Sequence, residues 1–161
     1  MELKTRISIL VRYVECDAMG VVHHSHYFPW FEMGRHALVK QIGINPDKHS
    51  NVGTLLLPVI ECSCRFKASA RFGDTVEIET TMNKPSSPKA RFDFTYRVVR
   101  QQGRQLLVEG ATSHALMKRD GQILMHLPPL MLEQLERYLG EPLGQKAGLG
   151  QSALKVLASS D

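Results

Sequence analysis

The sequence predicts an α+β domain in which one antiparallel sheet wraps around one apolar helix. A strand-like segment opens the chain, a helical apolar stripe begins at Tyr27, and four or five strand-like segments follow with no second helix before residue 128. Consecutive strands with a segregated helix are typical of this class, whereas alternating β and α units do not fit the order. With 161 residues and 43% hydrophobic content, we expect a single domain over 1–140 and a tail over 141–161, mobile or with a short helix.

The first element is a half-buried strand over residues 4–12. Its sequence, KTRISILVR, alternates apolar and polar side chains, with Leu10 as the exception. The apolar positions are Ile7, Ile9 and Val11.

The next element is a helix that starts at Tyr27 and ends before Gly43. Its apolar side chains recur with a helical period, and Pro29 is tolerated because it lies in the first turn. The predicted buried stripe consists of Tyr27, Trp30, Phe31, Gly34, Leu38 and Ile42.

A turn-rich surface loop over 44–54 leads into the strand region. We predict strands over 55–68, 74–83, 90–101, 104–119 and, more briefly, 123–127, followed by a final helix over 130–139 that ends at Gly140. In the third of these strands, one face carries Phe92, Phe94, Tyr96 and Val98.

Composition excludes several function classes. The net charge of +4 suits either an anionic ligand or an ordinary solvated surface, and without a basic run or a nucleic-acid motif we expect no DNA or RNA binding. No apolar run approaches the roughly 20 residues of a membrane span, and the start lacks the apolar block of a signal peptide, so we expect a cytoplasmic protein. The three cysteines, Cys16, Cys62 and Cys64, are expected to be reduced thiols.

The stretch YVECDAMGVVHHSHYFPWFEMGR, residues 13–35, contains the candidate chemistry. Its histidines at 23, 24 and 26 lack metal-ligand spacing, so we expect no metal site. Asp17 precedes Gly20 in a loop, where its carboxylate can attack an acyl carbon, deprotonate a water, or simply hold an Asx-type turn. Backbone N–H groups at the following helix start are placed to polarise an ester or thioester carbonyl.

The same stretch strongly resembles the signature of the 4-hydroxybenzoyl-CoA thioesterase-like family of hotdog-fold acyl-CoA thioesterases, including its YbgC-type members. FKASARFGD at 66–74 and the strand ARFDFTYRVVR give further support. The matching residues of the first motif are Tyr13, Asp17, Gly20, Val21, Val22, His24, Tyr27, Trp30, Phe31 and Glu32.

The resemblance implies hydrolysis of an acyl-CoA thioester to a free acid and CoA, with no cofactor beyond the CoA of the substrate. It implies that Asp17 is the catalytic carboxylate, as nucleophile or general base, and that the N–H near His24 polarises the thioester carbonyl. It also implies a homo-oligomer, a dimer or a dimer of dimers, with paired sheets and active sites at the interface. Substrate contacts are then expected from Gly20, Val21, Val22, His23, His26 and Tyr27.

Two positions depart from the family pattern: His26 stands where asparagine is usual, and Ser69 where proline is common. The CoA phosphates need cations, for which we name a group in or beside two turns. The group comprises Lys67, Arg71, Lys84, Lys89 and Arg91.

Two alternative functions are a non-catalytic protein that binds acyl-CoA or acyl carrier protein, and an enoyl-thioester hydratase. A serine hydrolase is least favoured, because this sequence lacks the G-x-S-x-G motif of that class.

Overall fold

The computed structural model describes residues 3–43, 55–83, 90–140 and 143. Short 3-10 segments lie at Tyr13–Glu15, His24–His26 and Gln102–Arg104. In chain order the main elements are β1 (Leu3–Leu10), α1 (Tyr27–Gln41), β2 (Leu55–Leu56), β3 (Val59–Phe66), β4 (Thr75–Met82), β5 (Arg91–Arg100), β6 (Leu106–Lys118), β7 (Ile123–Leu124) and α2 (Pro129–Leu139).

All described strands belong to one antiparallel sheet. β1, β4, β5 and β6 are successive neighbours, and β3 pairs with the other side of β6. β2 and β7 pair with the last residues of β6. The sheet curves around α1, so the predicted α+β hotdog fold is confirmed.

The long helix α1 lies against the inner face of the sheet with its predicted apolar stripe buried. At two positions a glycine allows the backbone to lie close to a neighbouring side chain. A Cβ at Gly34 would lie 2.3 Å from Thr80 Oγ1, and one at Gly110 would lie 2.4 Å from the ring of Phe31. Phe31 in turn stacks on Tyr96, with ring centroids 4.4 Å apart. The aromatic side chains of α1 therefore pack closely against β5 and β6.

The prediction of one strand over 55–68 is wrong, because the structure divides it into β2 and β3 around Leu57 and Pro58. Proline has no N–H to give to a strand ladder, and here its carbonyl accepts a hydrogen bond from Ala115 N at 3.2 Å. The strand predicted over 123–127 is reduced to its first two residues. The predicted final helix is confirmed, and Gly140 ends it with a left-handed φ of 70°.

Strand β3 forms an edge of the sheet. No described strand pairs with its outer side, and every one of its residues except Cys64 is exposed. Val59, Ile60 and Phe66 are each about half exposed, at 54%, 52% and 50%. An apolar, unpaired edge is the kind of surface on which another strand adds.

Several predicted features lie outside the described residues. These are the loop over 44–54, the turn that contains Lys84 and Lys89, and the tail from residue 141 apart from Leu143. Within the described ranges, no helix has the length and apolar character needed to cross a bilayer.

Candidate active site

The loop that carries Asp17 is a tight turn closed by backbone hydrogen bonds. Asp17 N donates to Val21 O and Gly20 N donates to Asp17 O, each at 2.9 Å, and Cys16 forms an isolated bridge with Val22. Gly20 has φ of +72°, a left-handed conformation that favours glycine. The loop therefore holds Asp17 in one fixed position.

The Asp17 carboxylate makes the predicted Asx-type contact with one of its oxygens. Oδ1 accepts a hydrogen bond from Met19 N at 2.8 Å, and no described residue donates to Oδ2. The side chain is partly buried. The turn contact is confirmed, and it leaves Oδ2 available to a substrate or a water.

Glu15 anchors this loop to α1, although the sequence analysis did not identify it as a candidate residue. Its buried carboxylate accepts hydrogen bonds from Arg12 N at 2.8 Å, Arg12 Nη2 at 3.0 Å and Trp30 Nε1 at 3.1 Å. Its carbonyl accepts from His23 N at 2.9 Å. Burial raises the pKa of the Glu15 carboxyl, but these hydrogen bonds outweigh burial and the pKa lies below its usual value. An ionised Glu15 thus fixes both ends of the loop.

The 3-10 turn at His24–His26 runs directly into α1. His26 N donates to His23 O at 3.0 Å, and His23 Nδ1 lies 2.8 Å from Ser25 Oγ. Within the described chain, no acceptor is recorded for the N–H of His24, the first residue of the turn. This N–H points from the positive end of the helical segment.

Asp17 and the helix start share one cleft of about 310 Å³ between the loop and β3. Of the predicted site residues, six line it: Asp17, Val21, Val22, His24, Tyr27 and Lys67. Gly20 lies with Asp17 in an adjoining hollow of about 450 Å³, beside Tyr13 and Phe72. His23 and His26 belong to the same turn as His24 but do not line the cleft.

The segment after β3 packs on the Asp17 loop. Val22 N donates to Ala70 O at 2.9 Å, and Arg71 Nη1 lies 3.5 Å from Gly20 O. Lys67 pairs with Glu109 at 3.3 Å, and both side chains are substantially exposed. Lys67 and Arg71 are therefore the described members of the predicted cation group that lie beside Asp17.

Arg91 lies elsewhere. It is on the face of the sheet that points away from α1, with its guanidinium 3.1 Å from Asp93, 2.9 Å from Ser113 and 3.5 Å from Glu61. The structure thus separates Arg91 from the cleft with which the sequence had grouped it.

The titratable groups near the cleft favour the carboxylate as its reactive group. Burial, and then the neighbouring Cys62, raise the pKa of the Cys64 thiol to about 11, so Cys64 is a protonated thiol near neutral pH. Burial also raises the pKa of the Tyr27 hydroxyl. The rings of His23 and His24 are packed with centroids 4.1 Å apart, and among the described residues no cluster of three or more histidine, cysteine or acidic side chains is arranged to hold a metal.

A second cavity, of about 300 Å³, opens beside the first turn of α1 and along β3. Four of its lining residues are polar yet nearly inaccessible to solvent, and the sequence singled out none of them for function. They are Arg35, Tyr96, Thr112 and His114.

Comparison with known proteins places this architecture in a family. A model described as the thioesterase-like superfamily matches residues 11–135. A Bacillus subtilis protein, provisionally named an acyl-CoA thioesterase, is 30% identical over 112 residues, which cover 70% of this chain and 78% of that protein. A hypothetical protein from Thermus thermophilus is 34% identical in sequence, with a TM-score of 0.71, and the match covers 83% of this chain and 96% of that one. A 1,4-dihydroxy-2-naphthoyl-CoA thioesterase from Synechocystis, 20% identical, shares the fold with a TM-score of 0.71 over 86% of this chain and 99% of its own.

Proposed function

This chain belongs to the thioesterase-like superfamily and is a thioester hydrolase, and we propose that it cleaves acyl-CoA thioesters in the cleft lined by Asp17 and His24. The observation that carries the proposal is the placement of an uncommitted carboxylate oxygen, Asp17 Oδ2, in the same cleft as the start of a helix. A carboxylate and an N–H donor on opposite sides of a thioester are the parts that acyl transfer requires.

Asp17 supplies the base or the nucleophile. As a general base, Oδ2 removes a proton from a water whose oxygen attacks the thioester carbon, and the carbon–sulfur bond then breaks to release CoA thiolate. As a nucleophile, Oδ2 attacks that carbon itself, the carbon–sulfur bond breaks to release CoA thiolate, and water then hydrolyses the resulting anhydride to regenerate the Asp17 carboxylate. Both routes consume one water and yield a carboxylic acid and free CoA thiol.

The N–H of His24 stabilises the oxygen that gains charge during the attack. It belongs to the helical segment whose N-terminal end faces the cleft, where the dipole favours a negative charge. Hydrogen bonds of this kind act on the transition state more than on the bound substrate. The anchoring of His23 by Glu15 keeps this turn in register with the Asp17 loop.

The CoA moiety is expected to leave the cleft past Lys67 and Arg71. Both side chains are exposed beside the Asp17 loop, and their existing contacts are a surface ion pair and a 3.5 Å hydrogen bond. Such contacts are weak, so a phosphate can replace them at little cost. We therefore assign these two cations to the CoA phosphates.

The same proposal includes a homodimer formed through the two β3 edges. Antiparallel pairing about an axis near Ser63 covers the exposed apolar edge and sets the Phe66 end of one strand opposite the Val59 end of its copy. Phe66 lines the Asp17 cleft and Val59 lines the second cavity. Sedimentation as a dimer supports this arrangement, whereas a fully active monomer would contradict it.

The test is release of free CoA thiol from a panel of acyl-CoAs that includes aliphatic, aromatic and enoyl thioesters. We expect saturable release in the wild type and, in Asp17→Asn, a fall in kcat of about a hundredfold to ten-thousandfold. Asparagine can still accept the Met19 hydrogen bond, so the turn and the thermal unfolding midpoint should be retained.

Asp120→Asn is the matched control. Asp120 Oδ1 accepts from Gln122 N at 2.9 Å, the same Asx-type contact on a turn far along the chain. It should release thiol at the wild-type rate. Binding without release from any thioester would indicate a binding protein, and loss of the enoyl absorbance without free thiol would indicate a hydratase; either outcome would refute the proposal.

A further inference from the structure

Residues 67–74 connect β3 to β4 and border the cleft without belonging to either strand. Lys67 and Ser69 line the cleft, and Arg71 lies beside the Asp17 loop. Because this segment lies outside the strand ladders, the positions of its two cations depend on the contacts that hold it.

Arg100, the last residue of β5, holds the segment at two points. Its Nη2 donates a hydrogen bond to Ser69 O at 2.6 Å, and its Nε donates to Asp74 Oδ2 at 3.0 Å. Its Nη1 donates to Gln105 Oε1, in the turn that follows β5. Three nitrogens of one planar guanidinium are thus engaged, so the side chain ties the segment to a regular strand.

Asp74 extends this restraint to Arg71. The same oxygen, Asp74 Oδ2, also accepts a hydrogen bond from Arg71 N at 3.0 Å. The side chains of the Arg100–Asp74 ion pair are mostly shielded from solvent, with exposures of 23% and 24%, so the pair is screened less than a fully exposed one. The backbone of Arg71 is therefore placed by a carboxylate that Arg100 orients.

The contact with Ser69 acts at a position that departs from the family pattern. Proline is common there, and its ring would fix φ, whereas serine provides no such restraint. Arg100 restrains the same residue through its carbonyl oxygen. Lys67 lies two residues before this fixed point, in the part of the segment that lines the cleft.

We propose that Arg100 is a positioning residue for the CoA moiety. It does not line the cleft, and through Ser69 and Asp74 it sets where Lys67 and Arg71 present their charges to the CoA phosphates. Loss of Arg100 weakens binding of the phosphate-bearing part of the substrate and leaves the acyl-transfer step itself unchanged. The inference rests on the proposed function and adds to it a residue that acts from outside the cleft.

The test compares one acyl-CoA with the matching acyl-pantetheine, which carries the same thioester but no phosphate. Arg100→Met keeps an unbranched side chain and removes its hydrogen-bond donors. In this variant KM for the acyl-CoA should rise about fivefold to tenfold at low salt, with kcat within about twofold of wild type. The value of kcat/KM for the acyl-pantetheine should be unchanged, whereas a purely structural role would lower it for both substrates alike.

Arg97→Met is the matched control. Arg97 lies on the same strand, and its Nη1 pairs with Glu79 at 2.8 Å without lining the cleft. Its loss should leave KM for the acyl-CoA at the wild-type value. An unchanged KM for the acyl-CoA in Arg100→Met, or an equal loss of kcat/KM for both substrates, would overturn the proposal.

A double-variant cycle tests whether Arg100 acts through Arg71. Arg71→Ala should raise KM for the acyl-CoA, and the double variant Arg71→Ala/Arg100→Met should raise it by less than the product of the two single effects. Effects that multiply in full would show that the two arginines act independently, which would contradict the assigned role.

Calorimetric binding of CoA itself separates this inference from the proposed function. Arg100→Met should bind CoA about fivefold more weakly than wild type, and Arg97→Met should bind it equally well. A protein that shows this difference but releases no thiol would count against the proposed function alone. Equal CoA affinities in the two variants would count against the role of Arg100, even where thiol is released.

Discussion

The two hollows along β3 are built in different ways. The cleft takes its proposed chemistry from a short stretch of chain, since Asp17, Gly20, His24 and Tyr27 lie within eleven residues of one another. The second cavity gathers Arg35, Tyr96, Thr112 and His114 from α1, β5 and β6.

The contrast shows which part of an acyl-transfer site can be predicted from a sequence. A catalytic turn before a helix needs its residues at fixed local spacing, so its pattern is visible along the chain. The cluster of buried polar residues in the second cavity depends on strand register, which pairs Phe94 with Thr112 and Phe92 with His114. The proposed chemistry is therefore encoded locally in this protein, whereas the polar residues of the second cavity are brought together only by the tertiary structure.

Disrupting the wall of the second cavity should have the largest effect on stability. In Gly110→Ala, the new Cβ would lie 2.4 Å from the Phe31 ring, which stacks on Tyr96. We expect the free energy of unfolding to fall by about 3 kcal/mol, measured by urea denaturation. The double variant Gly110→Ala/Phe31→Leu should lose less free energy of unfolding than the sum of the losses in the two single variants. If the two losses simply add, the contact between the new Cβ and the Phe31 ring is not the cause of the destabilisation.

Disrupting the anchor of the cleft should come next. Glu15→Gln removes the charge that accepts from Arg12 and Trp30, and we expect a loss of about 2 kcal/mol together with reduced kcat. Glu133→Gln, on the exposed side of α2, is the control and should change stability by less than about 0.5 kcal/mol. An unchanged kcat in Glu15→Gln would show that the Glu15 hydrogen bonds are not needed for catalysis.

His114, which lines the second cavity, should make the stability of the protein depend on pH. Burial lowers the pKa of His114 in the folded state, so as pH falls through about 6.5 the unfolded chain takes up a proton that the folded chain does not. The free energy of unfolding should therefore decrease from pH 7 toward pH 5. His114→Gln should flatten this slope. Glu15, whose folded pKa is lowered, contributes only below about pH 4.5, so the two windows are separate.

The smallest effect is expected at the mouth of the cleft. Lys67→Ala should raise KM for acyl-CoA by about twofold to fivefold at low salt, with the difference shrinking as salt is added. Lys118→Ala is the matched control, because Lys118 forms a hydrogen bond with Gln122 and does not line the cleft. A rise in KM that is equal in both variants would show a general charge effect.

The extent of successful prediction follows the same division. The buried stripe of α1 and the inner face of β5 follow from apolar periodicity and are confirmed. The break at Pro58 was missed because the apolar run continues through it. Glu15 was missed because nothing in the local pattern tells a buried acid from an exposed one; its partner Trp30 is fifteen residues away.

Turnover and binding should be measured together in Asp17→Asn, because the pair of values decides whether Asp17 is the catalytic carboxylate. If Asp17 acts on the reacting atoms, thiol release should fall at least a hundredfold while the affinity for a non-hydrolysable CoA thioether stays within about threefold of wild type. Near-normal release would contradict the account. An equal loss of release, affinity and thermal stability would also contradict it, because Asp17 would then be a turn residue only.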